Sequence, residues 1–247
     1  MKDQYAGFAE RYDLPYGPLG QPDPLVTEFF HRLFTEHQIQ RVLDCACGTG
    51  RHLLLLRNLG CRLYGADDSP SMLEQARQNL ASNGAEIPLQ VTDFRCLPET
   101  FAERFDAVLC MGAIGYMPDE EQFLKAFTSM AGVLRSGGVL VLSAIPTDRQ
   151  WQEKPRFALA ADTPACSRFF AMDYFEKTVR YTILDLLRGA GGTELKTWNA
   201  DLTVLLRDDQ ERLLKDAGFL RVDFFGGYDF SLYDKAISQQ MITVAQK

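Results

Sequence analysis

The chain has 247 residues, 46% apolar and 24% charged, with a formal net charge of −7. This is the composition of a folded domain with a full hydrophobic core, and it argues against a disordered chain. The acidic balance and the absence of any Lys/Arg run argue against nucleic acid and anionic membranes as partners, since both call for a basic footprint.

The first residues, MKDQYAGFAERYD, hold no continuous apolar stretch of the kind a secretory signal needs. The longest apolar run, around Val139–Leu142, is too short to span a bilayer. Six cysteines stand at 45, 47, 61, 96, 110 and 166 without a C-x-x-C pair, so free thiols, no metal site and a cytoplasmic location are expected.

Residues 1–37 read as an N-terminal cap and helix within one domain spanning 1–247. The cap is rich in aromatics and turns: Tyr5, Phe8, Tyr12 and Tyr16 with Pro15, Pro18 and Gly20. Asp23 and Pro24 then predict the start of an amphipathic helix that runs to His37, with Leu25, Phe29, Leu33 and Phe34 on its apolar face. Short apolar strands alternate with helices from there. Strands are expected at 41–45, 62–66, 87–91, 105–111 and 138–144, and helices at 51–59, 71–80 and 120–134. Such alternation predicts right-handed crossovers and a parallel sheet covered by helices on both faces. The pattern breaks near Pro146. Over 147–206 it gives way to a β-rich insertion containing Trp151, Phe169, Phe170, Tyr174 and Phe175, with a long hairpin of 177–187 and 194–206 joined by Gly189-Ala-Gly-Gly192. A helix over 208–217, closed by Gly218, and strands at 219–225 and 241–245 complete the core.

In an open parallel sheet, ligands sit beyond the carboxyl ends of the strands. The first strand ends in Asp44-Cys-Ala-Cys-Gly-Thr-Gly50, where small residues at Ala46, Gly48 and Gly50 let a ligand approach the backbone and the following helix offers free N–H groups. The second ends at Asp67-Asp68, about the spacing at which an acidic side chain holds a ribose. The third ends at Asp93-Phe94, a carboxylate beside an aromatic, as suits a purine. The fourth ends at Cys110-Met111-Gly112, which supplies an apolar opposite wall. A dinucleotide fingerprint would need glycine where Ala46 and Arg51 stand, which argues against an NAD-linked enzyme.

The segments V-L-D-C-A-C-G-T-G (42–50), G-A-D-D-S-P-S-M-L (65–73), D-F (93–94), F-D-A-V-L-C-M-G (105–112) and L-R-S-G-G-V-L-V-L (134–142) resemble the class I S-adenosylmethionine-dependent methyltransferases. The resemblance covers roughly 38–145. It implies an α/β, doubly wound, seven-stranded, mostly parallel Rossmann-like sheet whose last strand is antiparallel, here with the β-rich insertion after the fifth strand. It also implies S-adenosylmethionine as cofactor, S-adenosylhomocysteine as product and a small-molecule acceptor. The implied cofactor residues are Tyr12, Asp44, Ala46, Gly48, Gly50, Asp67, Asp68, Met72, Asp93, Phe94 and Met111, with Asp67 on the ribose, Met72 near the adenosine and Asp93 and Phe94 at the adenine.

Within that superfamily the chain looks most like the glycine and sarcosine N-methyltransferases, through Gln40–Asp44, Ala46–Gly50 and Phe105–Gly112 followed by Pro118-Asp119. It departs from them at Ala113, where asparagine is usual, and at Ile145-Pro-Thr-Asp148, where Arg-Asn-Tyr-Asp is usual. Both departures fall on the substrate side. Candidate acceptor contacts are Tyr5, Phe8, Tyr116, Trp151, Tyr174 and Tyr228, with the insertion as a substrate lid. None of His31, His37 and His52 is placed as a general base, which favours transfer to an amine nitrogen or chemistry by positioning alone. A monomer or homodimer is expected. The competing reading is a non-catalytic protein that binds the same cofactor.

Overall fold

The computed structural model describes residues 3–21 and 23–247. In chain order the elements are α1 (Ala9–Tyr12), α2 (Pro24–Glu36), β1 (Arg41–Asp44), α3 (Arg51–Leu56), β2 (Arg62–Asp67), α4 (Pro70–Ser82), β3 (Leu89–Val91), α5 (Leu97–Thr100), β4 (Phe105–Met111), α6 (Glu120–Val133) and β5 (Leu134–Ser143). They continue with α7 (Asp148–Glu153), β6 (Phe157–Asp162), β7 (Cys166–Tyr174), β8 (Thr178–Gly189), β9 (Gly192–Thr203), α8 (Arg207–Asp216), β10 (Arg221–Phe225) and β11 (Ile242–Gln246).

Seven strands form one sheet in the order β10-β11-β5-β4-β1-β2-β3. All its neighbours pair parallel except β11, which runs antiparallel to both β5 and β10. This is the doubly wound seven-stranded architecture expected from the sequence. The period-2 alternation of side chains assigns its two faces. Leu43, Val108, Cys110, Leu140 and Leu142 point into the layer filled by Phe123, Phe127 and Met130 of α6 and Leu213 and Leu214 of α8. Val42, Ala107, Leu109, Val139 and Val141 point the other way, onto Phe29, Phe30 and Leu33 of α2, Leu53 and Leu54 of α3 and Leu73 and Leu80 of α4. No helix among the described residues is long and apolar enough to cross a membrane.

The helix starts follow their capping chemistry. Asp23 accepts from the N–H groups of Leu25 and Val26, with Pro24 in the first turn, as the sequence predicts. Ser69 caps α4 by accepting from Met72 N, and Asp119 caps α6 through Gln122 N. Gly218 takes the left-handed conformation that ends α8 (φ +96°). Leu25 is a correction: it is 62% exposed, because the buried stripe of α2 is Phe29, Phe30, Leu33 and Phe34 and begins one turn later.

The insertion is larger than a hairpin. β8 and β9 pair over their full length, with Gly189 opposite Gly192 as expected. Two further strands, β6 and β7, extend them into a four-stranded antiparallel sheet in the order β6-β7-β8-β9. Sequence reading misses this pair. β6 is a half-exposed edge, and Arg168 and Asp173 interrupt the apolar pattern of β7. Its inner face gathers Met172, Val179, Tyr181 and Leu202 against Tyr116 and Trp151. The sheet thereby stands over the carboxyl end of β4.

Candidate active site

A cavity of about 660 Å³ opens at the carboxyl ends of β1, β2 and β4. It brings together Tyr5, Tyr12, Ala46, Gly48, Asp67, Asp68, Met72, Asp93, Phe94, Met111 and Tyr116 of the residues expected from the sequence.

The loop after β1 is shaped by Gly48 and Asp67. Gly48 has φ +51°, and a Cβ built there meets no protein atom within 4 Å, so its open side faces free space at the cavity wall. Its N–H donates to Asp67 Oδ2 at 2.8 Å, while Ser69 N donates to Asp67 Oδ1 at 2.9 Å. These two bonds pin the carboxylate between the loop and the start of α4 and leave its remaining lone pairs for a ligand. Burial raises Asp67 to about 6, against the lowering effect of those N–H groups. Asp68 is also raised, first by burial and then by the charges of Asp93 and Asp3.

Two loop residues expected at the cofactor stand behind the wall instead. Asp44 is fully buried; its Oδ1 accepts a long bond from Ala46 N at 3.4 Å, and Oδ2 has no partner among the described residues. Burial lifts it to about 7. Gly50 begins α3 in the left-handed conformation, and its open side faces Ala76 and Leu80 of α4, so its smallness serves helix packing.

Asp93 lines the cavity, but both of its carboxylate oxygens accept from Arg95, whose Nη1 donates to Gln122 Oε1 at 2.7 Å. Burial works to raise Asp93, and the Arg95 contacts outweigh it and hold the carboxyl low. Among the described residues the lining thus carries the carboxylates of Asp3, Asp67, Asp68 and Asp93 against the single guanidinium of Arg95. The cavity is electronegative, and cations are favoured in it.

The opposite wall comes from the N-terminal segment. Tyr5 donates to Tyr116 across the cavity (Oη to Oη, 2.7 Å). Asp3 accepts from Ser69 Oγ and Ser71 N, each at 2.8 Å, and so ties the segment to the start of α4. Burial raises the phenols of Tyr5, Tyr12 and Tyr116, the last to about 12.

Four expected acceptor contacts lie elsewhere. Phe8 is fully buried and stacks on Trp198 with ring centroids 4.6 Å apart, because the N-terminal segment folds under the insertion. Trp151 and Tyr174 pack on each other within the inner layer of the insertion, and Tyr174 donates to Pro155 O. Tyr228 packs edge-on against Phe29 of α2, below the sheet. His52 is outside the lining, and burial lowers it to about 4.

Sequence reading missed Asp3, Arg95 and Trp198. The signal for Arg95 was its position two residues after Asp93, and for Trp198 its place as the one aromatic of β9. Asp3 has no sequence signal, since its partners are distant in the chain.

Residues 42–138 match the family model of a methyltransferase domain. Over 206 residues, 81% of this chain and 74% of the relative, the sequence is 27% identical to a glycine/sarcosine N-methyltransferase of Aphanothece halophytica. An S-adenosylmethionine-dependent methyltransferase from Clostridium acetobutylicum superposes over 98% of both chains, with a TM-score of 0.80 and 20% identity. A sugar N-methyltransferase from Streptoalloteichus superposes over 96% of this chain and 92% of its own, with a TM-score of 0.73 and 24% identity. Both superpositions include the insertion as well as the core. With the fold, the loop after β1 and the acid at the end of β2 in agreement, residues 42–138 form a methyltransferase domain, and the chain as a whole is similar in sequence and fold to S-adenosylmethionine-dependent methyltransferases.

Proposed function

We propose that the chain methylates an amine nitrogen of a small molecule, and that its residues act by positioning rather than by proton removal. The observation that carries this reading is the lining of the cavity: among the described residues, Asp68 at the end of β2 is the one carboxylate without a hydrogen-bond partner, and no other free base stands there. No histidine or lysine lines it. Its three phenols are held protonated by burial at neutral pH. The carboxylates of Asp3, Asp67 and Asp93 are engaged by backbone N–H groups, by Ser69 or by Arg95. A hydroxyl acceptor must lose its proton as it attacks, whereas a neutral amine brings a free lone pair. The glycine/sarcosine N-methyltransferase similarity favours the same nucleophile.

The residues present fit the cofactor. The open side of Gly48 leaves room for close approach of the methionine portion, Asp67 has free lone pairs for the ribose hydroxyls, and Met72 and Phe94 offer flat apolar surface to the adenine. The electronegative lining suits a ligand carrying a sulfonium. When bound, S-adenosylmethionine supplies an electrophilic methyl open to in-line displacement. The chain's share is orientation: holding reactants in near-attack geometry is worth roughly 7–11 kcal/mol. Tyr5, Tyr12 and Tyr116 close the remaining side and exclude water. In this reading the insertion, 147–206, forms the roof of the acceptor side.

The test is production of S-adenosylhomocysteine from a panel of small amines matched with the corresponding alcohols and phenols. Turnover is expected with amines, rising with pH as the acceptor itself deprotonates. Turnover confined to hydroxyl acceptors overturns the proposal.

A further inference from the structure

The N-terminal segment that walls the cavity has little stability of its own. Its helix α1 is a single turn of four residues, too short to persist unaided. Asp3 with Ser69 and Ser71, Asn79 with Asp13 and Arg51 with Tyr16 O tie the segment to the core, and a buried charge pair in the insertion holds it from the other side. Arg168 of β7 and Asp185 of β8 face each other across the strand pairing, and both are fully buried. Arg168 Nε and Nη2 donate to Asp185 at 2.7 and 2.9 Å. The rest of the guanidinium reaches out of the sheet: Nη1 donates to Tyr12 O at 2.8 Å, and Nη2 also donates to Arg11 O at 3.0 Å. These are carbonyls at the carboxyl end of α1, where a cation is favoured. From the other side, Arg11 Nε donates to Asp185 Oδ2 at 3.0 Å. Trp198 of β9 completes the grip by stacking on Tyr5 and Phe8 and donating to Gln4 O at 2.9 Å.

A buried ion pair is weak evidence for stability, because desolvation offsets its attraction. Here the pair spends its spare donors on the one segment that closes the cavity. We propose that Arg168 and Asp185 are positioning residues for the cofactor: they hold residues 3–16 shut over the cavity and thereby set how long the cofactor stays bound. The proposal rests on the assignment of this cavity to S-adenosylmethionine. Tyr5 and Tyr12 line the cavity from the segment, whereas Arg168 and Asp185 contact the segment and are absent from the lining. Their loss acts on dissociation.

Dissociation of S-adenosylhomocysteine, followed by stopped flow, and its Kd by calorimetry test this in three variants. Arg11→Gln removes the segment's own bonds to the insertion, at Asp185 and Thr197 O, together with its internal bond to Gly7 O. Arg168→Gln combined with Asp185→Asn removes both buried charges together, so neither is stranded. Arg168→Lys keeps the pair with Asp185 but has fewer donors for the two carbonyls. Arg11→Gln and the double variant are expected to release the ligand about tenfold faster or more, with Kd raised in proportion. They also lose the ligand's protection against chymotrypsin over Tyr5–Tyr16. Arg168→Lys is expected to recover part of the loss. A folded double variant that releases the ligand at the wild-type rate overturns the proposal, as does a lowered melting temperature with unchanged Kd. Failure of the wild-type protein to bind S-adenosylhomocysteine strikes the cofactor assignment instead, so the two readings fail separately.

Discussion

Asp67 and Asp44 show how two acids of one loop region divide the work. Asp67 stands at the cavity with both oxygens fixed by N–H donors, whereas Asp44 is sealed beneath the loop with one oxygen unpartnered among the described residues. Burial raises both, Asp44 to about 7 and Asp67 to about 6. Above its unfolded-state pKa each acid binds more protons in the folded chain than in the unfolded one. Their contribution to stability is therefore full below about pH 4 and is lost as pH rises through 6 to 7. Replacing Asp44 by asparagine removes its share. The stability of Asp44→Asn relative to wild type is expected to improve by up to about 4 kcal/mol between pH 4 and pH 8, whatever the offset at low pH. Urea denaturation of the ligand-free proteins across that range checks this, and a pH-independent difference contradicts it. Both acids were visible in the sequence as strand-end residues. Their separation into cavity-lining and sealed was not, because it depends on which side of the loop backbone each carboxylate takes.

At the scale of elements, α4 joins the fold to the site. Its cap is Ser69, whose hydroxyl oxygen accepts from Met72 N and whose hydroxyl proton goes to Asp3. One hydroxyl thus starts the helix, beside the acid at the end of β2, and fixes the N-terminal segment to it. Ser69→Ala is expected to cost about 1 kcal/mol for the lost cap, a fall of roughly 2–4 °C in melting temperature for a chain of this size. It also removes one of the two bonds that tie Asp3 to the start of α4, so cofactor affinity is expected to fall with it. Thermal unfolding with and without S-adenosylhomocysteine checks both effects, and a variant with wild-type affinity would separate Asp3 from the site. The core strands and helices were legible because binary patterning, caps and glycine stops agree along them. β6 and β7 were not legible, because a partner-dependent charge such as Arg168 breaks the pattern that marks a strand. Phe8, Trp151, Tyr174 and Tyr228 misled for a related reason. An aromatic near a strand end has the same sequence signature whether it packs or binds, and each of these has a packing partner.

Across the whole molecule, the sheet delivers acids and glycines to one edge, and the insertion returns over that edge to hold the chain's own beginning in place as a wall. The expected cofactor half of this design was readable from short local motifs, since most of the residues expected there, Ala46, Gly48, Asp67, Asp68, Asp93 and Phe94 among them, stand at or just beyond a strand end. The closing half joins residues 3–16 to residues 168, 185 and 198 across most of the chain, and no local pattern carries such a pairing. The central claim is that the cavity between Gly48 and Asp67 binds S-adenosylmethionine. Calorimetric titration of S-adenosylhomocysteine into the wild type and Asp67→Ala, with NAD as control, tests it most directly. The account predicts one-to-one binding to the wild type, none of NAD, and a loss of about tenfold or more in Asp67→Ala. No binding to the wild type, or equal binding to both proteins, contradicts it.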